Sequence, residues 1–164
     1  MINKVEFQNM KFLSHGIIEE NPEKELNRVP HSWRPVNSND PELRENIRDI
    51  MWAKAEEYRI ENDYDDISDY NIIEKCCRIP NDTMKKALNG RYKLTRNFLA
   101  KFTVGLKLDI EESNELFRKH SGELNLTNDF DYIVYHALKS KDNIEFFLDE
   151  VYEYLGINLD VDRL

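Results

Sequence analysis

The chain has 164 residues and a formal charge of −9, with 40% hydrophobic and 34% charged residues. That composition supplies a lean core under much solvated surface, and 5 Gly with 5 Pro are too few for a loop-rich sandwich or barrel. No run reaches the roughly 20 apolar residues of a membrane span, and "MINKVEFQNMKF" lacks the apolar core and small-residue cleavage site of a secretory signal, so a cytoplasmic protein is expected.

Residues 1–40 read as an irregular arm: "VEFQNMKFL" suits a short strand, but "NPEKELNRVPHSWRPVNSNDPEL" is dense in prolines and turn formers. Phe12 and Trp33 are expected to pin this arm to the body. A first helix starts at Asp40-Pro41, an N-cap followed by proline at the first helical position. Its apolar residues Leu43, Ile47, Ile50, Met51, Ala55 and Tyr58 recur at three- and four-residue steps. "ENDYDDISD" follows; without the central glycine and closing glutamate of a calcium loop it reads as a solvated connection.

From Asp69 the helices become short. "YNIIEKCCRI" turns Ile72, Ile73 and Cys76 inward, and Pro80 breaks it. "NDTMKKALNG" begins with Asn81 or Asp82 as cap and stops at Gly90. Thr95 caps "RNFLAKFTVGL", with an apolar stripe of Phe98, Leu99, Phe102 and Leu106, and Asp109 caps a helix packed through Ile110, Leu116 and Phe117. "NDFDYIVYHALKS" and "NIEFFLDEVYEYLG" are both amphipathic, and the predicted fold class is all-α.

Cys76 and Cys77 are adjacent, so a bond between them would close a strained ring and no useful loop; they are expected as reduced thiols. The four histidines have no ligand spacing, which leaves no expected metal site. Glu111-Glu112 and Asp65-Asp66 read as helix-start and solvated charges, and no nucleophile, base and orienter come together. A non-enzymatic protein without a cofactor is expected.

Charge is distributed unevenly. Residues 71–107 hold nine cations against Glu74 and Asp82, a net +7, so the remainder of the chain sums to −16. A polyanion responds to such a local field within about a Debye length, roughly 8 Å in physiological salt.

A short helix, a turn and a second helix ending at Asn89-Gly90 form a helix-turn-helix outline. In "IPNDTMKKALNGRYKLTRNFLAKFTVGLKLDIEESNELF" the chain resembles the Cro/C1-type helix-turn-helix (XRE) family, over roughly residues 67 to 120. Ile79 and Met84 match the family's buried positions around the turn, Thr83 a polar site on its recognition helix, and Asn89-Gly90 that helix's end. The family's mid-helix alanine and pre-turn glycine fall on Glu74 and Arg78, which calls for a wider turn or a register shifted by one or two.

The resemblance implies an all-α helix-turn-helix bundle over 41–120, with the irregular arm before it and a C-terminal helical extension over 121–164. It implies a DNA-binding transcriptional regulator. In the family's docking mode Asn81, Asp82, Thr83 and Lys86 lie nearest the bases, with Lys85 on the same helix among the DNA-binding residues. Arg91, Lys93, Thr95 and Arg96 follow where the family grips phosphate, Thr95 as a helix cap that leaves backbone donors outward. Asp82 also suits a plain N-cap, and Lys86 a solvated lysine.

The partners so implied are double-stranded DNA and a second copy, joined through the C-terminal helices at Phe146, Phe147, Val151, Tyr154 and Leu155, or a protein partner at the same surface; packing of these residues against the chain's own core is the alternative reading. The alternative function is a protein-interaction module of the same fold, antitoxin-like or phage-inhibitory, with weak or no DNA binding.

Overall fold

Helix starts are marked by capping side chains. The computed structural model describes residues 41–63 and 66–160. The arm of residues 1–40, with its strand, Phe12, Trp33 and the Asp40 cap, and Asp65 lie outside the described residues. The described residues form seven α-helices and no strand: α1 (Pro41–Asn62), α2 (Asp69–Cys77), α3 (Asn81–Asn89), α4 (Arg96–Gly105), α5 (Ile110–His120), α6 (Asp129–Ser140) and α7 (Ile144–Leu155).

Ser68, Thr95, Asp109, Asn128 and Asn143 each accept the backbone N–H three residues on, satisfying a donor that the first turn leaves unpaired. Helix α3 is the exception. Pro80 stands at its N-cap, where neither Asn81 nor Asp82 does, and no side chain of its own caps it. The cap comes from α2 instead: Glu74 Oε1 accepts the Asn81 backbone N–H at 2.9 Å.

The turn between α2 and α3 is three residues long, Arg78-Ile79-Pro80. Arg78 takes the left-handed conformation (φ 58°, ψ 33°), a backbone region that favours glycine. Its N–H closes α2 by donating to the Glu74 carbonyl at 3.0 Å. Ile79 is fully buried beneath the turn.

Helix α4 is the hub. Everything from Phe98 to Gly105 is buried, and the helix touches α2, α5, α6 and α7. The approach to α2 is close enough to require glycine: a Cβ on Gly105 would lie 2.5 Å from the Cys76 carbonyl oxygen and 2.6 Å from Cys77 Cα and Sγ. In α2 the inward thiol is Cys77, one turn beyond Ile73, while Cys76 sits half-buried at the edge. Burial pushes the Cys77 thiol well above its usual pKa and raises that of Cys76 as well.

Helix α1 buries Leu43, Ile47, Met51 and Ala55, one residue per turn, against α2, α3 and α5. At its end Arg59 bridges to Glu56, the Ile67 carbonyl and Asp69, tying down the far side of the acidic connection. One hydrophobic core runs from Leu43 through Phe98 and Phe117 to Phe147, Val151 and Leu159, so it is continuous across residue 120. Phe147 and Val151, for which docking surface and own core were both open, are fully buried in the core, each removing an apolar side chain worth about 2 kcal/mol from water. Tyr154 and Leu155 pack partly against the same core. Of the expected surface, only Phe146 stands exposed.

Candidate nucleic-acid interface

Helix α3 buries Met84, Ala87 and Leu88 against α1 and α2, and turns Asp82, Lys85, Lys86 and Asn89 outward. Three-residue and four-residue spacing of the apolar side chains makes this division, so the polar face follows from the sequence. Gly90 ends the helix with φ +83°, and three amides in a row, those of Gly90, Arg91 and Tyr92, converge on the Lys86 carbonyl. Arg91 and Lys93 are exposed in the loop that follows. Thr95 caps α4, accepting from the Phe98 N–H at 3.0 Å.

The basic segment does not stay together in space. Arg96 points inward: it meets the Asp131 carboxylate at 2.7 Å, and donates to Ser121 Oγ and the Gly122 carbonyl, each at 2.7 Å. Its partner Asp131 is almost fully buried, so Arg96 holds α4 to α6 and to the loop between α5 and α6. Lys101 is 1% exposed, donates to the Arg78 carbonyl at 2.7 Å and lies 3.8 Å from Asp160. Burial lowers its pKa, and Asp160 works against that. Arg78 itself pairs with Asp160 at 2.6 Å and with Glu145 at 3.7 Å. Lys75 and Lys85 lie over the rings of Tyr58 and Tyr70.

What remains beside α3 is Lys85, Lys86, Arg91 and Lys93. Lys86 and Asp82 form an i,i+4 pair at 2.9 Å, and the Lys86 ammonium holds the Asp82 carboxyl below its usual pKa. Asn81 is engaged with α2, donating from its amide to Asn71 Oδ1 at 2.9 Å and Glu74 Oε1 at 3.2 Å. Thr83 is half-buried. The helix is therefore polarised, with the carboxylates of Glu74 and Asp82 at its start and cations at its end.

Two cations outside the basic segment join that end. Arg48 donates to the Leu88 carbonyl at 3.1 Å, and the Arg44 guanidinium lies 3.6–3.8 Å from where a Gly90 Cβ would sit. Their four-residue spacing puts both on one face of α1, but only the packing of α1 on α3 brings that face to Gly90. His120 braces the loop from behind: Nε2 lies 2.9 Å from the Leu94 carbonyl and Nδ1 2.8 Å from Ser121 Oγ.

Among the described residues no helix is long and apolar enough to cross a membrane, and no group of three or more His, Cys, Asp or Glu is placed to hold a metal ion. No family model, curated protein or solved structure matches the chain.

Proposed function

We propose that this chain is a cytoplasmic, non-enzymatic, sequence-specific DNA-binding regulator of the Cro/C1-type helix-turn-helix kind. The observation that carries this reading is the division of α3: Met84, Ala87 and Leu88 anchor it, while Lys85, Lys86, Arg91 and Lys93 are free of the core on and just beyond its outer face. A helix held on one side and polar on the other is what entry into a major groove requires. In this reading Thr83 and Lys86 approach base edges, and Arg91 and Lys93 contact phosphates. Asn81 sets the helix on α2, and Arg96 acts only inside the fold. Two half-sites would need two copies of α3, so a dimer belongs to the proposal.

The second reading is an interaction module of the same fold with weak DNA binding. Glu74 and Asp82 favour it, because they put two carboxylates at the start of α3, the part that would enter the duplex groove. Selection from random genomic fragments, followed by a salt titration on the winner, separates the two. A regulator enriches one motif, and its log K falls with log salt by about 0.9 per phosphate contact. Arg91→Ala and Lys93→Ala should each reduce that slope by about one. No enrichment, or affinity indifferent to salt, leaves the interaction module.

A further inference from the structure

We infer that the outer face of α7 is a docking surface for a cationic segment of another protein, with aromatic edges for its apolar or arginine side chains. At about 100° per residue, Tyr152, Glu145, Asp149, Glu153 and Phe146 fall in that order within an arc of about 120°. All five are exposed, Phe146 by 46% and Tyr152 by 61%. The opposite side of the helix is occupied: Ile144, Phe147, Leu148 and Val151 are buried in the core. Two aromatics therefore border three carboxylates on a helix that carries no cation at all.

The charge decides the occupant. Pairing this face with the same face of a second copy would set Glu145, Asp149 and Glu153 against their own equivalents, and like charges brought together at an interface repel. A nucleic acid is repelled in the same way. A cationic segment meets carboxylates and ring faces together, and an ammonium or guanidinium over Tyr or Phe adds a cation–π contact. The helix end strengthens the preference. The last turn of α7 has no basic residue, so Glu153 stands beside the carbonyl end of its own dipole, where an incoming cation is favoured by both. One carboxylate, Glu145, also touches Arg78 at 3.7 Å, which leaves Asp149 and Glu153 as the main anchors. The inference does not depend on DNA binding by α3.

The test uses the full chain and a helical peptide of leucine and lysine, with its leucine and glutamate counterpart as control. The lysine peptide should bind, with NMR shifts centred on Phe146 and Tyr152, and the glutamate peptide should not. Asp149→Lys with Glu153→Lys should weaken binding by roughly tenfold or more, as should Phe146→Ala with Tyr152→Ala. Glu45→Lys with Glu61→Lys, an equal change of net charge at exposed positions of α1, should cost less than about threefold. Equal losses from both charge reversals would mean attraction by net charge alone and overturn the inference. So would absence of binding, or shifts centred elsewhere. Concentration-dependent self-association abolished by Phe146→Ala would assign the face to a second copy instead, and equally overturn it.

Discussion

The Glu74 carboxylate caps a helix to which it does not belong, its Oε1 accepting the backbone N–H of Asn81 at 2.9 Å. Pro80 offers no side-chain acceptor at the start of α3, so the acceptor is supplied from one turn before the end of α2. The bond fixes how the two helices meet.

Glu74→Ala should therefore lower stability by about 1 kcal/mol, the usual cost of a lost cap. Glu74→Gln keeps an acceptor and should cost less, while removing one of the two carboxylates at the outer end of α3. If that end faces DNA, the glutamine variant should bind random-sequence duplex more tightly than wild type. Urea denaturation and a filter-binding titration at fixed salt check the two halves separately.

Arg96 and Arg91 should behave oppositely. Removing Arg96 leaves the buried Asp131 carboxylate without its cation, which costs about 3 kcal/mol for a pair of this kind. Arg91→Ala, on an exposed side chain, should change stability by less than about 0.5 kcal/mol. Any loss of DNA affinity should follow Arg91 and Lys93 at constant fold. A melting curve for Arg96→Ala that overlays the wild type would show that the inward contacts carry no weight.

Two glycines should resist alanine for different reasons. At Gly90 the nearest atoms, those of the Arg44 guanidinium, leave room for a methyl group, so the cost is the strain of φ +83°, about 1 kcal/mol. At Gly105 the backbone conformation suits alanine, but the methyl group would sit 2.5 Å from the Cys76 carbonyl oxygen. Helices α2 and α4 must then separate, at about 1–3 kcal/mol. Gly105→Ala should raise the reactivity of the Cys77 thiol toward a thiol reagent, whereas Gly90→Ala should leave it unchanged.

Stability should fall in mild acid through His120. Burial lowers its pKa first of all, and Arg96 and Lys93 lower it further, against the Leu94 carbonyl, which raises it. The unfolded chain takes up this proton near 6.5, the folded chain only at lower pH. The contribution is complete above 6.5 and is lost as pH falls through the folded pKa. The neutral ring suits its surroundings, Nε2–H donating to Leu94 and Nδ1 accepting from Ser121, whose oxygen receives a hydrogen bond from Arg96. His120→Gln should flatten the decline between neutral pH and pH 5, measured by urea denaturation at each pH. Parallel curves for the two proteins would remove His120 from the account.

Among the described residues, the sequence by itself determined the helices, apart from the cap of α3. Thr95 and Asp109 as caps, Gly90 as a stop, and the apolar steps of α1, α4 and α5 are local signals, because a cap bonds an amide three residues away and a helix face repeats within four. The all-α class follows from those signals. Partnership across the chain was decided only by tertiary structure. Arg96 and Asp131 are 35 residues apart, Arg78 and Asp160 are 82, and nothing in a run of basic residues distinguishes a cation that turns inward from one that stays in water. The buried Lys101 makes the point most sharply: on an isolated helix it would be a surface lysine. It is enclosed because α4 is covered on every side, by α2 and α5 and by the C-terminal helices that share its core.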